Sequence, residues 1–200
     1  MIKRSFDIVF ALVGLVVLSP VMILIAVLIK LDSRGPVFYR GVRVGIRGNL
    51  FRVFKFRTMV VDAEKIGGSS TPDDDTRITR TGKILRKHKL DELPQLLNVL
   101  SGEMSFVGPR PEVQHYVNMY SEKEKVILSI RPGITDWASL WNPDGGAILA
   151  GSPDPERTYL EKIRPEKIRL QLEYLSKRSF STDMTIIFQT LAAIVFKRKI

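Results

Sequence analysis

Two adjacent carboxylates, Asp91 and Glu92, are the strongest candidates for chemistry in this sequence, because a helix is predicted to begin at them. A helix N-terminus carries free N–H groups and partial positive charge, so it is a natural binding site for phosphate. Adjacent side chains on a helix point about 100° apart, and the two carboxylates therefore cannot clamp one ligand symmetrically. Separate roles are indicated. A purely structural interpretation stays open at this point, in which Asp91 caps the helix and Glu92 complements its dipole.

Four basic side chains from three other segments could meet a phosphate beside this pair: Lys55, Arg57, Arg86 and Arg110. Arginine binds phosphate through two parallel hydrogen bonds, and lysine acts as a point charge. Arg110 is the most constrained of the four, because Pro109 and Pro111 fix the backbone on either side of it. We predict that the four side chains bind substrate phosphate.

The composition excludes several other kinds of site. The 200 residues include no cysteine and only two histidines, so neither a disulfide framework nor a Cys/His zinc site can form. No Walker A pattern is present, and Gly41, Gly45 and Gly48 lack the spacing of a dinucleotide-binding fingerprint. The formal net charge of +10 indicates an anionic partner, and nucleic acid, anionic lipid and a phosphate-rich substrate all satisfy it.

An apolar segment near the N-terminus indicates a membrane. No charged residue occurs from Ile8 to Ile29, and a helix of about 22 residues would be roughly 33 Å long, enough to cross a bilayer core. Pro20 predicts a kink after Ser19, because proline removes one backbone hydrogen bond and clashes with the preceding turn. A secretory signal fits less well, because the segment is too long and no cleavage site precedes Lys30.

Basic residues flank this segment on both sides: Lys3, Arg4, Lys30, Arg34, Arg40, Arg43 and Arg47. Positive charge favours the cytoplasmic side, so the flanks predict that both ends are cytoplasmic. Each half of a helix kinked at Pro20 would be about 18 Å long and would reach only partway into the bilayer. The pattern alone leaves two topologies open, a re-entrant helix and an ordinary kinked transmembrane helix with a very short outer tail.

The remaining chain contains the elements that must position the candidate residues. Two strands, Val37–Arg40 and Leu50–Thr58, are predicted around the turn-forming residues Gly45–Asn49, which indicates a hairpin. Two helices, Thr81–Lys89 and Glu92–Leu100, are predicted to meet at the acidic pair. The apolar tail Asp183–Phe196 is too short to cross a membrane, so it should pack on the domain or lie in the membrane interface.

Six short motifs occur in order and together carry a family resemblance: Ser19-Pro20, Phe54–Met59, Leu90–Leu96, Asn98–Leu100, Gly102–Pro111 and Arg131–Thr135. Over most of the chain up to about Thr135, this series closely resembles the bacterial sugar transferase family, the monotopic phosphoglycosyl transferases. The Asp-Glu-Leu-Pro-Gln motif that begins at Asp91 and the Gly-Pro-Arg-Pro motif that contains Arg110 are the most specific parts of the match.

The resemblance implies a topology and a reaction. The family's helix is re-entrant and breaks at the residues that match Ser19 and Pro20, with both ends cytoplasmic. Its reaction is a Mg²⁺-dependent, two-step transfer of a sugar phosphate from a UDP-sugar to polyprenol phosphate. The nucleophilic aspartate of the family matches Asp91, which is also the expected Mg²⁺ ligand, and the partner glutamate matches Glu92. The basic residues of the family match Lys55, Arg86 and Arg110.

The expected fold is a mostly helical α/β domain with a small β-hairpin, an N-terminal re-entrant membrane helix and interfacial amphipathic helices. Residues 1–31 should form the membrane helix, and residues 32–200 the catalytic domain on the cytoplasmic face of the bacterial inner membrane. The expected partners are UDP-sugar, polyprenol (undecaprenyl) phosphate and membrane lipid, without nucleic acid. A homo-oligomer is compatible with the sequence.

Two rival functions differ from this expectation in their products. A membrane-tethered basic binding protein would release no nucleotide and would not need Asp91 and Glu92, whereas a transferase that moves only the sugar would release UDP instead of UMP. The sugar itself cannot be assigned from the sequence. Many relatives continue after Thr135 with Gly-Trp-Ala-Gln-Val-Asn-Gly-Arg, whereas this chain has Asp136–Pro143, a different sequence.

Overall fold

The structure, a computed structural model, describes residues 2–66, 71–143 and 146–196. Within these ranges the α-helices are α1 (Ile2–Asp32), α2 (Ala63–Ile66), α3 (Arg80–Lys87), α4 (Gln95–Ser101), α5 (Gln114–Val117), α6 (Trp137–Trp141), α7 (Pro155–Thr158), α8 (Arg164–Lys177) and α9 (Phe180–Phe196). The strands are β1 (Phe38–Tyr39), β2 (Val42–Val44), β3 (Leu50–Arg52), β4 (Lys55–Phe56), β5 (Ser105–Val107) and β6 (Gly133–Thr135). The prediction of a mostly helical protein with a small β-structure and an apolar N-terminal helix is confirmed.

A hairpin is present around the predicted turn, but both of its strands differ from the prediction: β2 lies beyond the predicted strand Val37–Arg40, and the predicted strand Leu50–Thr58 is divided. β2 and β3 pair antiparallel around the predicted turn, while β1 pairs antiparallel with β4. The division falls at Val53 and Phe54, where the N–H of Val53 donates to the carbonyl of Gly41 at 3.0 Å and Asn98 of α4 binds the backbone on either side of Val53. Its Oδ1 accepts from the N–H of Phe54 at 2.8 Å, and its Nδ2 donates to the carbonyl of Arg52 at 3.0 Å. The single strand predicted from Leu50 to Thr58 is therefore wrong in its continuity.

One stripe of α1 packs on the rest of the chain along nearly the whole helix. Ala11 of this stripe is buried against α4 with Val99, and Ile25 and Ile29 are buried with Phe56. The helix is continuous through Ser19 and Pro20, where the Ser19 hydroxyl donates to the carbonyl of Val16 at 2.8 Å. The re-entrant break at Ser19 and Pro20 thus stays a prediction.

Both ends of α1 are fastened to the same body. Near the N-terminus, the ammonium of Lys3 donates to Asp183 of α9 at 2.6 Å, and Arg4 donates to the carbonyl of Val99 at 2.7 Å. At the C-terminus, the carboxylate of Asp32 accepts from the N–H of Thr81 in α3 at 3.0 Å. These contacts join the two ends of the apolar helix to one folded unit.

The opposite side of α1 is apolar and exposed; Val16 and Val17, for example, are 67% and 66% exposed. In the part of the chain that the structure describes, α1 is the one helix that is long and apolar enough to cross a membrane. The predicted apolar tail forms the shorter helix α9, which buries Ile186 against Val107 and exposes Phe188.

Candidate active site

Asp91 and Glu92 lie in a single 3-10 turn, Leu90–Glu92, between α3 and α4. Lys89 lies between the end of α3 at Lys87 and this turn, and it adopts the left-handed conformation with φ of 56°. The N-cap position of α4 belongs to Pro94, and α4 begins at Gln95. The purely structural interpretation, in which Asp91 caps this helix, is therefore wrong: the residues before Pro94 form i to i−3 hydrogen bonds, so the acidic pair precedes the helix.

Glu92 is held by two cations. Lys55 donates to its Oε1 at 2.6 Å, and Arg110 donates from Nη2 to the same oxygen and from Nη1 to Oε2 at 3.1 Å. The Glu92 side chain is only 13% exposed. Burial alone would raise the pKa of Glu92, but the charges and hydrogen bonds of Arg110 and Lys55 outweigh it and lower that pKa. Glu92 is thus ionised and fixed in position.

Asp91 has a different environment. Its residue is 8% exposed, and no described residue donates a hydrogen bond to its carboxylate. Burial, with a smaller contribution from the charge of Glu92, raises the pKa of Asp91, while Lys55, Arg86 and Arg110 act in the opposite direction. A recessed carboxylate in a cationic field, without a hydrogen bond to restrain it, is suited to nucleophilic attack on a phosphorus atom.

The positions of Lys55 and Arg110 depend on distant parts of the chain. Lys55 directly follows the interruption that Asn98 imposes between β3 and β4. Arg110 follows β5, which pairs parallel with β6. The backbones come so close at Gly108 and Gly133 that a Cβ on Gly133 would lie 2.1 Å from the nitrogen of Gly108. Glycine is required for this approach, which delivers Arg110 to Glu92.

Arg86 lies in the site and uses only one of its guanidinium nitrogens in a hydrogen bond to a described residue. Its Nε donates to the hydroxyl of Thr58 at 3.0 Å, whereas its two terminal nitrogens have no partner among the described residues. Burial lowers the pKa of Arg86, and the nearby charge of Asp91 partly restores it. Because free guanidinium N–H groups beside a carboxylate can bind a phosphate, Arg86 fits its predicted role.

Arg57 lies apart from this cluster. Its Nε donates to the carbonyl of Pro36 at 2.6 Å, and its Nη2 donates to the carbonyl of Ser33 at 2.9 Å, just beyond the end of α1. These bonds give Arg57 a structural role at the exit from the apolar helix, and its binding of phosphate stays a prediction. The structure therefore brings together Lys55, Arg86, Asp91, Glu92 and Arg110.

Three supporting residues were missed by sequence reasoning: Thr58, which holds Arg86, Asn98, which sets Lys55, and Asp136, which accepts from the backbone of Arg110. Thr58 and Asn98 fall inside the family motifs Phe54–Met59 and Asn98–Leu100, so the motifs could have identified them as candidate site residues. Asp136 carried no comparable signal, because its carboxylate acts across 26 residues of sequence.

The family model of the bacterial sugar transferases matches residues 1–197. The chain belongs to this family. It is 34% identical, over 98% of its length and 86% of the relative, to the exopolysaccharide production protein ExoY of Sinorhizobium fredii. The match to the bacterial sugar transferase family therefore extends well beyond Thr135.

Two other relatives have names that state a reaction. One is the UDP-N-acetylgalactosamine-undecaprenyl-phosphate N-acetylgalactosaminephosphotransferase of Aeromonas hydrophila, with 37% identity over 97% of this chain and 44% of the relative. The other is the UDP-glucose:undecaprenyl-phosphate glucose-1-phosphate transferase of Escherichia coli, with 38% identity over 96% of this chain and 39% of the relative. The chain spans less than half the length of these two family members.

The donor set around Asp91 suits a magnesium ion that is shared with a substrate. Among the described residues there is no group of three or more His, Cys, Asp or Glu side chains that could hold a metal ion. Glu92 is already occupied by Lys55 and Arg110, which leaves Asp91 as the available carboxylate. Magnesium commonly takes one or two protein carboxylates and completes its shell with phosphate oxygens and water, so this arrangement fits it.

Proposed function

We propose that this chain transfers a sugar 1-phosphate from a UDP-sugar to undecaprenyl phosphate and thereby begins the assembly of a bacterial polysaccharide or glycoconjugate. The observation that carries the proposal is the contrast within the acidic pair: Glu92 is clamped by two cations, and Asp91 is recessed beside it without a hydrogen bond from a described residue. Family membership and the reactions named for the two relatives support the same chemistry.

In the first step of the proposed reaction, a carboxylate oxygen of Asp91 attacks the β-phosphorus of the UDP-sugar. A bond forms between this oxygen and phosphorus, the bond to the bridging oxygen breaks, and UMP leaves with the electron pair. The phosphosugar remains bound to Asp91 as an acyl phosphate. In the second step, a phosphate oxygen of undecaprenyl phosphate attacks the same phosphorus and releases the aspartate.

The cationic residues have separate tasks in this proposal. The two terminal nitrogens of Arg86, which have no partner among the described residues, are available for the diphosphate, while Arg110 and Lys55 neutralise Glu92 and extend positive charge toward Asp91. Without these cations, two adjacent carboxylates would repel an anionic substrate. Magnesium, held by Asp91 together with substrate oxygens, would supply further charge neutralisation at the diphosphate.

The covalent step can be tested by omitting the lipid acceptor. Full-length enzyme mixed with UDP-sugar and Mg²⁺ alone should release UMP in a burst of about one equivalent, because the first half-reaction needs no acceptor. Mass spectrometry should find the phosphosugar on the peptide that contains Asp91. Asp91→Asn should abolish both signals, since a neutral amide attacks phosphorus poorly.

Three outcomes would reject the mechanism: full activity in Asp91→Asn, a strict requirement for lipid before UMP appears, or UDP as the product. UDP release would indicate transfer of the sugar alone. The absence of any nucleotide product with a panel of UDP-sugars would favour a binding protein.

We also propose that α1 enters the cytoplasmic leaflet of the inner membrane and returns, with α9 lying in the interface. A helix whose two ends are both bound to one polar body cannot readily place them on opposite sides of a bilayer, and here Lys3 and Asp32 make such contacts. Ser5→Cys and Ser33→Cys should both be protected from an impermeant thiol reagent in intact cells. Labelling of Ser5→Cys from outside would instead show a true span.

A further inference from the structure

The carboxylate of Asp136 is fully buried and bound by four donors. Its Oδ1 accepts from the N–H and the hydroxyl of Ser139, both at 2.7 Å, and thereby caps α6. Its Oδ2 accepts from the backbone N–H of Arg110 at 3.2 Å and from Nε2 of Gln171 in α8, also at 3.2 Å. One side chain therefore joins α6, α8 and the loop that carries Arg110.

The bond to Arg110 acts where the loop has no other backbone donor. In Pro109-Arg110-Pro111, proline has no N–H, so the N–H of Arg110 is the only one that the segment can use. Asp136 occupies it. The carbonyl of Pro109 accepts from the N–H of Gly133 at 3.1 Å, and the hydrogen bond to Asp136 fixes Arg110 itself through its own N–H.

The side chain of Arg110 depends on that anchor. It is 35% exposed, and its guanidinium must reach the carboxylate of Glu92 from a loop instead of from a helix or strand. A small shift of the Arg110 backbone would move the guanidinium, and misplacement of a binding group by about 1 Å can lower a reaction rate by about 100-fold.

We propose that Asp136 is a positioning residue for the transfer reaction, which acts by fixing the backbone of Arg110 so that its guanidinium serves both Glu92 and the substrate phosphate. The inference rests on the function proposed above, in which Arg110 belongs to the site. In this proposal Asp136 acts on the reaction only through the loop that carries Arg110 and does not contact the substrate.

Asp136→Asn separates this role from helix capping. Asparagine is as good an N-cap as aspartate, so its oxygen can still accept from Ser139. Its NH₂ group then replaces Oδ2 and cannot accept from Arg110. Gln171 can adapt, because its Oε1 has no partner among the described residues and would accept from the new NH₂ group after an amide flip.

We expect Asp136→Asn to lower kcat/KM by about tenfold, the effect of one lost hydrogen bond, with little loss of thermal stability. Ser139→Ala is the matched control, because it removes a hydrogen bond from the same carboxylate without touching Arg110, and its kcat/KM should stay within about twofold of wild type. Asp136→Ser, which retains a capping hydroxyl but is too short to reach Arg110, should behave as Asp136→Asn does.

A double-mutant cycle with Arg110→Ala decides between positioning and general support of the fold. If Asp136 acts through Arg110, adding Asp136→Asn to Arg110→Ala should cause no further loss of kcat/KM. A full additional loss in the double variant, unchanged kinetics in Asp136→Asn, or unfolding of both the Asn and the Ser variants would overturn the proposal. Failure of the proposed function would be distinguishable, because the wild-type protein would then release UDP, or no nucleotide, from the UDP-sugars instead of UMP.

Discussion

Glu92 and Glu112 occupy two similar buried clusters with different surroundings. Each carboxylate is about equally shielded, at 13% and 12% exposure, and each is paired with a lysine, Lys55 or Lys167. The second donor is Arg110 for Glu92, whereas for Glu112 it is the hydroxyl of Tyr159 at 2.5 Å. Charge burial by itself therefore does not distinguish the two regions.

The difference lies in what remains after the pairing. Beside Glu92, Asp91 accepts no hydrogen bond and Arg86 keeps free donors within the described part of the chain. Around Glu112, the ring of Tyr159 packs on that of Tyr116, with 4.5 Å between centroids. The Glu92 cluster thus has charges left for a ligand, and the Glu112 cluster is closed by aromatic packing. Charged groups without a hydrogen-bond partner among the described residues, more than burial, distinguish the candidate site from the Glu112 cluster.

The largest difference between the two clusters is expected when the lysine of each is replaced by methionine. Lys55→Met should lower kcat/KM by about 100-fold or more. It removes one of the two cations that pair with Glu92, and this cation is also the one that most favours ionised Asp91. Lys167→Met should leave kcat/KM of the folded protein nearly unchanged but destabilise it by about 3 kcal/mol, because Glu112 loses its charge partner inside the fold. Steady-state kinetics and thermal unfolding in lipid nanodiscs measure the two effects. Equal loss of activity in both variants would contradict the distinction.

A smaller effect concerns pH. Asp91 must be ionised to attack, so activity should rise as the pH passes its pKa. Glu92→Gln removes a negative charge that raises the pKa of Asp91 and releases Lys55 and Arg110 toward it. The acidic limb of kcat/KM against pH should therefore move to lower pH, on a lower overall rate. Glu112→Gln is the control and should leave the limb in place; a shift of that limb to higher pH in Glu92→Gln would be inconsistent with this environment for Asp91.

The smallest effect is expected at Tyr159. Tyr159→Phe removes one hydrogen bond to Glu112 and retains the ring packing, so the free energy of unfolding should fall by about 1 kcal/mol. Activity of the folded protein should not change. A clear loss of kcat/KM would show that the Glu112 cluster is coupled to the reaction and would remove the contrast with Glu92.

Local sequence patterns predicted the elements that depend on neighbouring residues. The apolar run predicted α1, and the turn residues between β2 and β3 predicted the hairpin. The family motifs also identified Asp91, Glu92, Lys55, Arg86 and Arg110 as one candidate group. The predictions of α1 and of the hairpin succeeded because hydrophobic periodicity and turn chemistry are contained within a few consecutive residues. The roles of the five site residues stay predictions.

Tertiary structure alone decided which carboxylate is held and which is left available. Lys55 and Arg110 lie 37 and 18 residues from Glu92, and nothing in the sequence states that both reach Glu92 instead of Asp91. The division of the predicted strand by Asn98 and the anchoring of Arg110 by Asp136 have the same origin. Each depends on a polar side chain that satisfies backbone groups far away in the chain, and such pairings are fixed only when the packed elements bring donor and acceptor together.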